Sequence, residues 1–201
     1  MDLEFGANLR GKLFTALTGN READVTGKGD VRGMLMAVGG SSSKTKSGID
    51  LTKAAAKLGV SRRTVERWVK TAATGQGQRP SPQHAKLLAG HARKAATTKA
   101  GRKAAVQVVR DRKTMARGAR LAIKGSQGPL RNGKDYPRNR LTQLMIDPDA
   151  AEAMLTAYEQ GGDKGFMTWA TNFYDQEYLE DWGFQTVDSI SIESPYGGGW
   201  R

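Results

Sequence analysis

Six residues on one short stretch carry the most legible chemistry of the chain: Ser61, Arg62, Arg63, Glu66, Arg67 and Lys70. Spacings of three and four bring them onto one side of a helix. An arginine fork can bond O6 and N7 of guanine together, and a glutamate can accept from N4 of cytosine. That pattern points to DNA sites containing G·C pairs. No comparable set points to bond-making chemistry. The absence of cysteine excludes disulfide frameworks, cysteine-ligated zinc and thiol catalysis. The two histidines, His84 and His91, stand seven apart without further ligands in the pattern, so neither metal, cofactor nor enzymatic activity is expected.

A helix-turn-helix over residues 49–70, IDLTKAAAKLGVSRRTVERWVK, must position that set. Asp50 is placed to cap a helix ending at Leu58. Gly59 supplies the left-handed residue of the turn, and Ser61 caps the second helix. Ala54 and Ala55 allow the two helices to approach, while Leu51, Leu58, Val60, Val65 and Trp68 occupy the inward positions.

Charge is divided along the chain. Thirty-two Lys and Arg against 20 Asp and Glu give +12 in 201 residues, with a pI near 10.1. From Leu141 to Arg201 there are two basic and eleven acidic residues, and ten of the fourteen aromatics lie in the last 44 positions. The first 140 residues therefore carry +21, the footprint of a polyanion binder. Between Lys86 and Lys124, twelve basic residues face a single acid, Asp111. Lys86, Arg93, Lys94, Lys99, Arg102 and Lys103 are read as phosphate contacts, which anchor without reading sequence.

The expected fold is α+β and mostly helical. An N-terminal basic region (1–124) holds a leading helix with Phe5, Leu9, Leu13, Phe14 and Leu17 on one stripe, a short helix over Val31–Val38, the helix-turn-helix, and a long basic helix over 82–113. GGSSSKTKSG (Gly39–Gly48) and residues 125–137 read as flexible loops. A small acidic strand–helix–helix–strand domain follows over 138–193. Its two helices are divided at Gly161-Gly162, and its core is expected from Leu141, Leu144, Leu155, Phe166, Trp169, Phe173, Val187 and Ile190. Residues 194–201 read as a disordered tail. No apolar run approaches the roughly 20 residues of a membrane span, and the acidic start lacks a signal core, so a cytoplasmic, nucleoid-associated protein is expected.

AAKLGVSRRTVERWVK, the basic helix after RPSP, and RLTQLMIDPDAAEAMLTAYEQGG with its aromatic helix together resemble the telomere terminal proteins, over roughly residues 7–193. These cap the 5′ ends of linear actinobacterial chromosomes and plasmids. The resemblance implies a protein primer that binds replicon ends and offers a side-chain hydroxyl to a DNA polymerase. It would stay covalently linked to the DNA, in company with a telomere-associated replication protein and in a possible homodimer. The family pattern places the priming threonine between the basic helix and the RLT strand, a region that here holds Ser126, Thr114 and Tyr136. Ser126, between glycines in KGSQGP, is the first choice, with Thr114 and Tyr136 as alternatives. The competing readings are a helix-turn-helix repressor and a plasmid-partition or phage-packaging DNA adaptor.

Overall fold

The computed structural model describes residues 7–130, 137–193 and 195. Two compact units emerge, one of Asn20–Gly101 and one built from the residues before Asn20 and after Gly101. Phe5 of the leading stripe, Tyr136 and nearly all of the terminal tail lie outside the described residues.

The Asn20–Gly101 unit is helical. Helix α2 (Val31–Gly39) starts on Asp30, whose carboxylate accepts from the Gly33 amide, and is buried from Gly33 to Gly39. Against it pack α3 (Leu51–Leu58), α4 (Arg62–Thr74) and α5 (Pro82–Thr97). The glycine- and serine-rich segment before α3 is not a slack loop. Ser42 donates to the Gly48 carbonyl (2.8 Å), Asp50 to the Gly40 carbonyl (3.0 Å), and the Thr45 hydroxyl to the Ile49 carbonyl (2.8 Å).

The basic helix expected over 82–113 is two helices, α5 and α6 (Lys99–Asp111). Thr98 between them is extended (φ −95°, ψ 147°). Its hydroxyl donates to the Lys94 carbonyl and accepts from the Gly101 amide, so one threonine ends the first helix and starts the second.

The other unit is a sheet with helices on one face. Helix α1 (Ala7–Thr18), expected within the basic front, sends Leu9, Leu13 and Leu17 into the core of this unit instead. Val106 and Val109 of α6 do the same. The boundary expected near residue 124 therefore gives way to one in which both ends of the chain share a core. Phe14 is also buried.

The sheet centres on β1 (Ala119–Pro129), inside a segment expected to be partly loop. It pairs antiparallel with β2 (Arg138–Ile146) on one side, and with β3 (Trp182–Phe184) and β4 (Ser189–Glu193) on the other. The strands around the helices thus do not pair with one another; β1 lies between them. Glycine hid this strand in the sequence. Gly125 is required because the Thr186 carbonyl and Val187 occupy the space of any Cβ. Buried Gln127 donates to the Ile123 carbonyl (2.8 Å) and the Arg140 carbonyl (3.0 Å) and lies 2.9 Å from the Thr142 hydroxyl, so a polar side chain is accommodated in the core. The neighbouring Tyr174 hydroxyl is pushed up to about 12 by burial.

Register corrects one core assignment. Thr142 and Ile146 face the helices and Leu144 packs beside them, which turns Leu141 and Met145 to the open face; each is 56% exposed. Trp169 and Phe173 stack at 5.1 Å and are only half-buried.

Helix α7 (Pro148–Glu177) begins on Asp147, which accepts from the Ala150 amide (2.7 Å), and bends at Gly162 (φ 62°, ψ −141°), a conformation that favours glycine. Among the described residues no helix is long and apolar enough to cross a membrane.

Candidate nucleic-acid interface

The Asn20–Gly101 unit holds sixteen basic and five acidic residues, a charge of +11, and from Leu51 to Gly101 the single carboxylate is Glu66. The remainder of the chain carries +1. Positive potential is concentrated on the unit that contains the helix-turn-helix.

Local chemistry fixes that motif. Asp50 caps α3 by accepting from the Lys53 amide (2.9 Å). Gly59 takes φ 65°, ψ 30°, and its amide and that of Val60 turn back to the Ala56 and Ala55 carbonyls, which closes the helix end. Ser61 caps α4 by accepting from the Thr64 amide (3.1 Å), with its hydroxyl 2.8 Å from that of Thr64. Leu51, Ala54, Ala55, Leu58, Val65 and Trp68 are buried, and Val60 is half-buried at the corner. The Trp68 ring lies 5.6 Å from that of His84 on α5 and serves as an inter-helix plug.

This packing leaves one face of α4 in water. Ser61, Arg62, Arg63, Glu66, Arg67 and Lys70 are all exposed. Arg67 reaches Gln78 (3.4 Å), and the Thr71 hydroxyl donates to the Arg67 carbonyl (2.9 Å) and lies 3.0 Å from the Gln78 carbonyl, so the segment after α4 folds back along it. The sequence reading passed over Gln78 because its role depends on that return. It also passed over Lys44, Lys46 and Arg79, exposed cations on the two flanks of the motif.

Lys86, Arg93 and Lys94 stand exposed on α5, and Lys99 at the start of α6. Two members of the expected phosphate-binding set belong to the other unit. Lys103 is exposed there, whereas Arg102 is only 8% exposed. The Arg102 guanidinium donates to the carbonyls of Tyr158 (3.0 Å), Glu159 (3.1 Å) and Gln160 (3.0 Å), which lie just ahead of the bend at Gly162. Arg102 is a structural cap and not a DNA contact.

Burial shifts two titratable groups of this unit. Burial pulls the Lys57 ammonium below its ordinary value, helped by Lys53, while its Nζ donates to the last turn of α2 at Val38 (2.9 Å). Burial also lowers the His91 imidazole, with Lys94 and Lys57 acting in the same direction.

The three hydroxyls considered for nucleotide attachment have different settings. Ser126 is not on a loop. Its amide donates to the Thr186 hydroxyl (2.9 Å), its carbonyl accepts from Gln185 and Thr186, and its own hydroxyl donates to Gln185 Oε1 (3.2 Å). Thr114 lies in the turn between α6 and β1, half-buried, with its hydroxyl donating to the Val109 carbonyl (3.2 Å). Tyr136 lies outside the described residues.

Residues 44–79 match the family model of the homeodomain-like domain. The matched span takes in α3, the turn, α4 and the returning segment through Arg79. No curated protein and no solved structure matches the chain. The chain carries a helix-turn-helix of the homeodomain-like, DNA-binding kind.

Proposed function

We propose that the protein binds a specific DNA site by laying α4 in the major groove, with Arg62, Arg63 and Arg67 on guanine edges and Glu66 on cytosine. The exposed, doubly capped α4 with three arginines on one face carries this reading. Lys86, Arg93, Lys94 and the flanking Lys44, Lys46 and Arg79 supply phosphate contacts. Selection from a randomised duplex pool tests it. G·C-containing sites should be enriched by the wild type and lost with Arg62→Ala/Arg67→Ala.

The resemblance to telomere terminal proteins extends the proposal to a role at replicon ends, as a primer without enzymatic activity of its own. A hydroxyl oxygen would attack the α-phosphorus of a deoxynucleoside triphosphate in a polymerase site and pyrophosphate would leave. Ser126, Thr114 and Tyr136 are the candidates. The bonds of Ser126 within the sheet favour Thr114 among the described hydroxyls, since a nucleophile must enter another protein's active site. Incubation with labelled nucleotide in an extract that replicates linear ends tests this step. Label that survives denaturing gels and is lost with Thr114→Val supports it. A protein that never takes label but still selects a site is a repressor, or a partition or packaging adaptor.

A further inference from the structure

The sheet has two unlike edges. On one side lie β3 and β4, of three and five residues, with serines and the acids Asp188 and Glu193 nearby. Short polar edges of this kind resist pairing with other chains. The opposite edge is β2, nine residues long, and β1 is its sole strand neighbour among the described residues. From Leu141 to Ile146 it reads LTQLMI, with no charge and no proline to discourage pairing.

The main-chain groups on that edge can be assigned. Asp188 donates to the Lys124 carbonyl, and Gln185 and Thr186 donate to that of Ser126, so these residues of β1 face β3 and β4. Leu121, Ile123 and Gly125 therefore face β2, opposite Leu144, Thr142 and Arg140. Strand alternation leaves the N–H and C=O groups of Asn139, Leu141, Gln143 and Met145 on the outer edge. Leu141 and Met145 are also the two large apolar side chains that the open face exposes.

We propose that two copies of the chain pair through β2, antiparallel about a two-fold axis at Gln143, joining two four-stranded sheets into one of eight. The pattern is self-complementary in this register. Gln143 meets its own copy, and Leu141 of each chain meets Met145 of the other, on both sides of the axis. Three opposed pairs exchange about six main-chain hydrogen bonds. A shift of two residues either way would set Leu141 or Met145 against a polar residue. Charge agrees: Arg138 at one end of the strand approaches the Asp147–Asp149 end of the second copy. The pairing does not depend on DNA and stands apart from the function proposed above.

Sedimentation equilibrium of the full chain, treated with nuclease in high salt so that DNA cannot bridge copies, should give twice 21.8 kDa at micromolar concentration. Leu141→Lys/Met145→Lys, at exposed positions, should halve that mass with an unchanged circular dichroism spectrum. A monomeric wild type, or a folded double variant that stays dimeric, overturns the proposal. Because the chain has no cysteine, the register can be read directly. Opposed residues of a hydrogen-bonded pair lie about 5.5 Å apart at Cα, within disulfide range. Gln143→Cys should cross-link to itself under mild oxidation. Leu141→Cys and Met145→Cys should cross-link only when mixed. Failure of the Gln143→Cys cross-link, or self-linking of Leu141→Cys alone, contradicts the pairing even if the lysine variant does not fold.

Discussion

Helices α5 and α6 follow one another and both are rich in Lys and Arg, but two arginines of α6 use that charge in the opposite way to the cations of α5, while Lys99 and Lys103 stay exposed. On α5, Lys86, Arg93 and Lys94 point to water. On α6, Arg102 is buried over three backbone carbonyls, and Arg110 pairs with Glu152 (Nε to Oε1, 3.0 Å) and Glu159 (Nη1 to Oε2, 2.8 Å). The first set adds to a unit of +11, while in the second Arg110 is neutralised by two carboxylates and Arg102 is held by backbone carbonyls. A basic stretch is thus a nucleic-acid footprint only where its cations lack partners inside the fold.

The largest effect should come from Arg102→Ala. It removes a buried charge and its hydrogen bonds to three carbonyls ahead of the bend of α7, and is expected to cost about 3 kcal/mol in urea unfolding, with little change in DNA affinity per folded molecule. Lys94→Ala should change stability by less than about 0.5 kcal/mol. The contrast between the helices breaks if Arg102→Ala is as stable as the wild type yet binds DNA poorly.

Ser61→Ala removes the cap of α4 and should cost about 1 kcal/mol of stability, measured by thermal melting. Frayed first-turn arginines should weaken specific binding alongside. Weaker effects are expected on α5. Lys86→Ala, Arg93→Ala and Lys94→Ala should each reduce the slope of log affinity against log salt by about 0.9, equally for specific and random DNA. A sequence-dependent loss at any of them would move α5 from anchoring to reading.

The smallest effect is a pH dependence. His91 has a folded pKa below its unfolded value, so the neutral ring contributes stability above the unfolded pKa, near 6.5. That contribution is lost as pH falls through the folded pKa, where the unfolded chain takes up the proton more readily. His91→Gln should flatten the stability profile below neutrality in acid melts, and an unchanged profile would remove His91 from the account.

What the sequence disclosed follows the range of the interactions. Asp50, Gly59 and Ser61 act on amides and carbonyls within a few residues, so the helix-turn-helix could be read from its letters. Strand β1 could not, because Gly125 makes sense only beside Thr186, some sixty residues on. The apolar stripe of α1 was legible, but its destination was not, since Leu9, Leu13 and Leu17 find their partners after residue 101. Arg102 looked like its basic neighbours because nothing local shows that three carbonyls ahead of Gly162, more than fifty residues on, will receive it. Leu141 was placed in the core on its hydrophobicity, and pairing with β1 settled its face instead.

The central claim is that α4 reads DNA sequence while α5 holds phosphates, and a competition titration on the full chain tests it most directly. Affinities for the selected site and for random duplex would be compared for wild type, Arg67→Ala and Lys94→Ala at one fixed salt concentration. The account predicts that Arg67→Ala lowers the specific-to-random ratio by about tenfold or more, corresponding to about 1–3 kcal/mol, while Lys94→Ala weakens both affinities and leaves the ratio unchanged. An unchanged ratio for Arg67→Ala, or an equal fall for both variants, would contradict it.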